Sequence, residues 1–362
     1  MILTGLRGTG KSTFLLHHAI QSGKKVLYFS ADNPRLTALN LYDVIATVFL
    51  QGYEGVIIDE VHFARNWSAQ LKSLYDDFPA RYVWASDSST LVLRSGTADL
   101  SRRYVFVHMP IMSFREFLYI ETGNIYNTIN PFEISGSSLP VKPDSSILDL
   151  FEKYKAYGTR PFYTEGDYES RSLAVLDKAI NSDVTFFVPQ ITNDNIRLMS
   201  AVVGTLSMSS IPRLQVRSLC ADWNVSADKL YQLLDVMEAV GLVRIIRYPN
   251  DKKAKSAGAK LFFADPCLYS VLHGNPGNMR EAFVTVLLQE VGYTVNACKI
   301  ETDGDFVITK NVGSLKLENT PAIKIEVGGK DKVLKQSDWV IRDNTDYPTD
   351  KAIPLWLLAM AW

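Results

Sequence analysis

The sequence has little cysteine, no long apolar run and almost no net charge, and each shortage excludes a class of protein. Cys220, Cys267 and Cys298 are the only cysteines in 362 residues, and no CxxC pair occurs. Neither a disulfide framework nor a zinc knuckle is supported. The longest uncharged apolar run, Ala352 to Trp362, has eleven residues and contains Pro354; about twenty are needed to cross a bilayer. The N-terminus lacks the basic-then-apolar pattern of a signal peptide. Lys+Arg is 38 against Asp+Glu 39, a net charge of -1. Overall charge therefore gives no hold on nucleic acid, and any such contact must come from a local basic patch. With 47% hydrophobic and 21% charged residues, disordered, collagen-like and coiled-coil chains are also excluded. The expectation is a reduced, soluble, cytoplasmic protein with no membrane segment, of two or three domains at about 150 residues each.

What the sequence does have stands at its start. In MILTGLRGTGKST, Gly5, Gly10, Lys11 and Ser12 fit G-x-x-x-x-G-K-[ST], the phosphate-binding loop. Gly5, Gly8, Thr9, Gly10, Lys11, Ser12 and Thr13 would line it. Glycines let successive N–H groups turn toward phosphate oxygens, and the following helix adds its positive end. Lys11 would reach the β- and γ-phosphates of ATP, and the Ser12 hydroxyl would ligate Mg²⁺. Ile2 to Thr4 predicts a strand before the loop, and Lys11 to Ile20 a helix closed at Gly23. Further apolar runs predict parallel strands at Lys25–Ser30, Gly55–Glu60, Arg81–Ser86 and Tyr104–His108. In GVIIDE the apolar run ends on two carboxylates. In a P-loop enzyme Asp59 would hold Mg²⁺, and Glu60 would orient or deprotonate the attacking water.

These stretches, with VLYFSADN, VIIDEVHFARNW, LKSLYDD, Ser86-Asp87-Ser88-Ser89 and above all PIMSFREFL (Pro110–Leu118), resemble a bacterial and archaeal AAA+ type P-loop ATPase family. Its members carry a conserved C-terminal domain of unknown function. The resemblance implies that Ser86 or Ser88 is a polar sensor near the γ-phosphate. It also places Arg103 where the family has a Gly-Arg pair, with Arg102 here in the glycine's position. Members usually have tens of residues before the first strand, so a chain starting at Met1 is either truncated or unusual on the adenine side.

Beyond residue 118 the resemblance implies three more blocks. Residues 119–207 would be a surface loop (122–146) and a helical lid, in which no catalytic constellation is evident. Residues 208–259 read as a winged helix-turn-helix: a short helix at Leu214–Asp222, a longer one at Ala227–Val240 and a hairpin. The longer helix is acidic. The wing, with Arg244, Arg247, Lys252, Lys253, Lys255 and Lys260 against Asp251, is basic. Weak, sequence-indifferent DNA contact through Arg247, Lys252, Lys253 and Lys255 is one expectation; docking of a protein partner or a second copy is the other. Residues 260–362 would be a restriction-endonuclease-like α/β domain. Its acids would be Glu281 on a helix and Asp305 and Glu326 on successive strands. A working site of that kind needs a lysine two residues past the second acid, but Gly328 stands there. Lys330 follows a Gly-Gly pair, and Lys324 is displaced along the strand, so the expectation is a domain that does not cut.

The implied architecture is thus a P-loop parallel-sheet core (1–118), a lid, a winged helix and a nuclease-like α/β domain. The leading function is a Mg²⁺-dependent ATPase coupled to rearrangement of the C-terminal domains, with Lys11, Glu60, Ser86 and Arg103 as its catalytic residues. A low-turnover nucleotide switch and an ATP-assisted nuclease are the alternatives. The sequence leaves open whether an arginine acts from a neighbouring subunit.

Overall fold

A computed structural model describes residues 1–88, 100–134, 139, 141–184, 192–213, 216–249, 259–310 and 322–362. The chain forms two compact units. One holds Met1–Ile111 together with two short outlying stretches, Arg160–Phe162 and Ala239–Gly241; the other holds the remaining segments.

The first unit is built on five parallel strands: β1 (Ile2–Thr4), β2 (Val26–Ser30), β3 (Gly55–Asp59), β4 (Tyr82–Asp87) and β5 (Phe106–His108). Their order is β2-β3-β4-β1-β5. Helices α1 (Lys11–Ser22), α2 (Leu41–Leu50) and α3 (Trp67–Asp77) connect them. Parallel strands buried on both faces need continuous apolar text, which VIID and VWAS supply. In α1, Lys11, Leu15 and Ala19 are buried. They recur every four residues and so share one face. Leu15 and Ala19 pack with Leu3, Ile57 and Trp84 in one core cluster. Gly23 closes α1 in a left-handed turn and returns its N–H to the Ile20 carbonyl, a glycine stop.

The strand order positions the site. β4 lies between β1 and β3, with Leu3 opposite Ser86 and Ile58 opposite Ala85. The carboxyl ends of β1, β4 and β3 therefore stand side by side, which is where open α/β sheets form their binding crevice.

The second unit begins with α4 (Phe114–Thr122), the helix of the SFREFL motif. Ser113 and Glu116 cap it reciprocally, and Phe114, Phe117 and Leu118 are buried. Then come α5 (Ser145–Tyr157), α6 (Tyr168–Lys178), α7 (Asn193–Met208), α8 (Val216–Asp222) and α9 (Ala227–Ala239). A two-stranded antiparallel sheet comes next, β6 (Val243–Ile246) with β7 (Lys260–Phe263). The C-terminal sheet has the order β12-β11-β10-β9-β8. Its strands are β8 (Tyr293–Ala297), β9 (Phe306–Lys310), β10 (Ile323–Gly328), β11 (Trp339–Arg342) and β12 (Ala352–Pro354). The pairs β8–β9 and β9–β10 are antiparallel, while β10–β11 and β11–β12 are parallel. Helix α10 (Pro276–Glu290) packs on β7, β8 and β10, and the terminal helix α11 (Leu355–Ala359) packs on α10. The C-terminal apolar run is therefore core: Leu355 to Ala359 are all buried. Among the described residues no helix is long and apolar enough to cross a membrane.

Where described, the stretch expected as a surface loop is irregular and mostly exposed, with a few apolar points of attachment. Ile129 is buried, its N–H bonds the Met360 carbonyl at 3.2 Å, and Phe132 sets its edge against Tyr293 and Trp339. Two apolar anchors among Asn, Pro and Ser were enough to lay this segment on the C-terminal sheet. A buried ion pair ties α5 to the end of β11. Lys155 meets Asp343 at 2.8 Å and Glu152 at 2.7 Å, and Asp343 also accepts from Arg280 at 3.0 Å. Lys155→Ala leaves a buried carboxylate short of one partner, so it should cost about 3 kcal/mol, as breaking a buried pair typically does. Chemical denaturation should show a lowered midpoint; an unchanged midpoint would mean that this pair does not hold the unit together.

Candidate functional site

The residues singled out at the start of the chain converge. Asp59, at the carboxyl end of β3, accepts from Ser12 Oγ at 2.6 Å, from Tyr28 Oη at 3.1 Å, from Ser86 Oγ and from the Glu60 backbone N–H at 3.1 Å. Ser12 comes from the first turn of α1 and Ser86 from β4, so Asp59 joins three elements across the sheet. Burial and the Asp59 charge push the Tyr28 hydroxyl up to about 12, so it stays a donor. Hydroxyl and carboxylate oxygens are the hard donor set that Mg²⁺ prefers, and Ser12 and Asp59 fit that ion.

The loop itself is folded onto its own groups. Gly10 has φ 93, in the left-handed region that favours glycine, just before Lys11 opens the helix. The Lys11 ammonium donates to the carbonyls of Gly5 at 3.0 Å and Leu6 at 2.9 Å. Burial lowers the Lys11 pKa from 10.5 to about 8, against the nearby charges of Glu60, Asp87 and Asp59. Thr9 Oγ1 donates to the Leu6 carbonyl, which tightens the same turn. Arg160–Phe162 lies on the loop: Arg160 Nη1 donates to the Arg7 carbonyl, and a Cβ on Gly8 would come 2.7 Å from the Phe162 ring.

Glu60 stands beside Asp59 with φ 49, uncommon for a residue bearing a Cβ. Its carboxylate meets Arg7 Nη1 at 2.9 Å and accepts from Ser88 Oγ at 2.9 Å, and Arg7 Nη2 donates to Ser88 Oγ at 3.0 Å. His62 Nδ1 lies 2.7 Å from Asp87 and 3.7 Å from Glu60. The two serines thus divide: Ser86 serves Asp59 and Ser88 serves Glu60. Arg103 pairs with Asp76 of α3 through two nitrogens at 2.8 and 2.9 Å. Sequence reasoning missed Arg7 and Arg160. Arg7 could have been noticed as a cation inside the loop; Arg160 gave no signal at all.

The C-terminal acids fall into two groups. Lys260 Nζ bonds Glu281 at 2.6 Å and Asp305 at 2.7 Å. Burial alone would lower its pKa, but the two carboxylates outweigh that and raise it. Burial raises Glu281 as well, and Asp305 adds to this while Lys260 opposes it. Glu326 is buried and pairs with Lys332 at 2.7 Å and Lys335 at 3.3 Å. Lys324, the displaced lysine considered from sequence, turns to Asp303 at 2.7 Å instead. The Lys332 stem lies over Gly328, where a Cβ would come 2.5 Å from its Cγ. Among the described residues, the one Asp/Glu/His group close enough to share a metal ion is Glu60, His62 and Asp87 in the first unit.

The basic wing also changes on inspection. Lys260 is buried among acids, and Arg244 is buried against Gln289. Arg247 is held by Glu238 at 2.9 Å and Asp235 at 3.5 Å, both on the acidic helix α9. Lys252, Lys253 and Lys255 lie outside the described residues.

Comparison with known proteins matches residues 1–118 to an AAA domain family. Residues 1–118 are an AAA domain. A protein of Methanocaldococcus jannaschii described as uncharacterized, MJ1637, is 29% identical over 299 residues, 75% of this chain and 62% of that protein. The chain thus spans less than two thirds of that relative's length. An uncharacterized protein of Haemophilus influenzae is 23% identical over 336 residues, 85% of this chain and 79% of that one. Among solved structures, the Thermotoga maritima RuvB Holliday junction branch migration motor aligns with a TM-score of 0.35 at 15% identity, over 68% of this chain and 81% of that one. Aeropyrum pernix ORC1, in complex with DNA, aligns at 0.34 and 12%, over 75% and 85%.

A phosphate-binding role for the buried Lys11 would make nucleotide affinity depend on pH. Phosphate binding would want Lys11 protonated, and burial in this loop lowers its pKa to about 8. Above that pH, binding must take up a proton, so affinity for Mg²⁺-ATP should fall up to about tenfold per pH unit. Titration at pH 7, 8 and 9 checks this. A flat profile would show that the depression of Lys11 has no bearing on binding.

Proposed function

We propose that the chain is a Mg²⁺-dependent ATPase whose reaction centre is the loop and the two acids at the end of β3. The observation that carries this reading is the 2.6 Å contact of Ser12 with Asp59 beside Glu60, on a loop of the AAA type. Lys11 would leave the Gly5 and Leu6 carbonyls for the β- and γ-phosphates. Ser12 and Asp59 would hold Mg²⁺, which neutralises phosphate charge when bound. Glu60 would orient the attacking water and draw its proton. Ser86 fixes Asp59, and Ser88 fixes Glu60. Arg103 is the weakest member of the proposed set, since the structure gives it to Asp76.

We further propose that turnover moves the second unit through the covalent chain. Two stretches that cluster with the AAA domain are short interruptions of the second unit's sequence, Arg160–Phe162 after α5 and Ala239–Gly241 at the end of α9. Both meet the phosphate loop: Arg160 at Arg7, Phe162 at Gly8, and Gly241 at Leu6, where a Cβ would run into the leucine side chain. A loop that rearranges around phosphate displaces these stretches and the helices they continue.

Lys11→Ala should abolish hydrolysis and weaken nucleotide binding. Glu60→Gln should retain Mg²⁺-ATP while turnover drops at least about a hundredfold, the usual loss of a positioned base. Wild-type turnover in Glu60→Gln would remove that residue from the mechanism. The low-turnover switch is the competing reading, supported if nucleotide binds tightly without catalytic release of phosphate.

We propose that the C-terminal acid set serves packing and partner binding and does not cut DNA. Lys260 already bridges Glu281 and Asp305, so a divalent cation would have to displace a buried ammonium. Plasmid and single-stranded DNA should survive incubation with the protein in Mg²⁺ or Mn²⁺ with ATP. Cleavage lost in both Asp305→Ala and Glu326→Ala would contradict this. Any weak DNA contact is assigned to Lys252, Lys253 and Lys255, because α9 already neutralises Arg247.

A further inference from the structure

Two cations project from the phosphate loop, and the protein occupies both. Lys11 is turned to loop carbonyls, and Arg7 is turned to Glu60 and Ser88. Arg7 sits in the middle of the loop, between Leu6 and Gly8, and its side chain is only 16% exposed. Its charge is close enough to Lys11 to help depress that lysine's pKa. Its backbone is fixed too, since Arg160 donates to the Arg7 carbonyl. A guanidinium is planar and always charged, and its fork matches a carboxylate or a phosphate equally well. Here the fork spans two acceptors, Glu60 Oε1 and Ser88 Oγ, while Ser88 donates its own proton to Glu60 Oε2.

We propose that Arg7 is an arginine of the ATP site supplied from within the chain, which exchanges the Glu60 carboxylate for the γ-phosphate. The proposal rests on the ATPase reading above. In this structure Arg7 holds Glu60 against Ser88. When a triphosphate enters, its terminal phosphate is a second anion for the same fork, on the same loop as Lys11. The move adds a cation where charge develops during phosphoryl transfer. It also releases the Glu60 carboxylate, leaving it with Ser88 as its hydroxyl partner and able to accept from water. A diphosphate has no group at that position and leaves the Arg7–Glu60 pair intact. Arg7 therefore reports the third phosphate.

Three consequences can be measured on the full chain, with ADP and the nonhydrolysable β,γ-imido analogue of ATP as probes in Mg²⁺. Arg7→Ala should reduce the preference for the triphosphate analogue over ADP by at least about tenfold, the loss of roughly one charge-assisted contact, while ADP affinity stays within about threefold. Glu60→Gln removes the competing carboxylate, so it should tighten binding of the analogue severalfold when Arg7 is present and not at all in the Arg7→Ala background. With ATP, kcat should fall at least about a hundredfold in Arg7→Ala, and Arg7→Lys should recover part of it, since a point charge replaces the fork. Circular dichroism establishes folding, and Arg7→Gln, which can still bond Ser88, serves if the alanine variant is unfolded. An unchanged triphosphate preference in the Arg7 variants, with Glu60→Gln acting equally in both backgrounds, would overturn the proposal. If the wild type binds both nucleotides without turnover, the ATPase reading fails while the binding ratio still decides the role of Arg7.

Discussion

Asp59 is the acceptor on which the first unit's geometry turns. It receives Ser12 from the helix after the phosphate loop, Ser86 from β4 and Tyr28 from β2. That meeting is possible because β4 stands between β1 and β3. If β1 and β3 were adjacent, no strand would bring Ser86 and Ser88 between the loop and the acids. The same strand order brings His62 to Asp87 and Ser88 to Glu60, so each of the two acids that end GVIIDE has its own hydroxyl. The site is a dense set of hydrogen bonds and ion pairs. Buried charge needs such compensation, and on the proposed reading an incoming polyphosphate would compete with some of these contacts. A loop built this way satisfies its own groups and can exchange them for phosphate.

The second unit handles charge differently. Its buried ions are paired into short chains: Glu152–Lys155–Asp343–Arg280 in one place, Glu281–Lys260–Asp305 in another, and Glu326 with two lysines in a third. The first two link elements far apart in sequence, α5 with the end of β11 and β7 with α10 and the start of β9, while the third closes a short local loop. A buried ion pair adds little net stability, but losing one partner leaves a costly unpaired charge. In the second and third groups lysine side chains stand against the acids that the sequence order suggests for metal chemistry.

What could be read from sequence depends on how far apart the interacting residues lie along the chain. The loop, its helix and the pair Asp59-Glu60 were legible because covalent spacing alone constrains them. Strands β3 and β4 were legible because burial on both faces leaves an unbroken apolar run, while β2 and β5 are only partly buried. Strands β8, β11 and β12 were not read: β11 and β12 are only four and three residues long, and β8 alternates Tyr293-Thr294-Val295-Asn296-Ala297 over too short a span to stand out. The C-terminal run was noticed only for being apolar, although Leu355 to Ala359 fill the core of their unit. The partners of Lys260, Lys324 and Glu326 were unreadable, because a lysine stem reaches several residues in either direction and only the fold decides which carboxylate it finds. Lys332 crosses Gly328 because that glycine leaves its face of the strand open. Arg7 was visible as a residue, but its tie to Glu60 and Ser88 needed three strands placed in register.

The central claim is that the AAA domain turns over ATP at the Ser12–Asp59–Glu60 centre. Steady-state phosphate release from purified wild-type protein in Mg²⁺-ATP tests it most directly. The account predicts phosphate in large molar excess over protein, abolished by Asp59→Ala and restored by no other nucleotide-binding part of the chain. Tight ATP binding with no more than one phosphate released per chain, or turnover that survives Asp59→Ala, would contradict it.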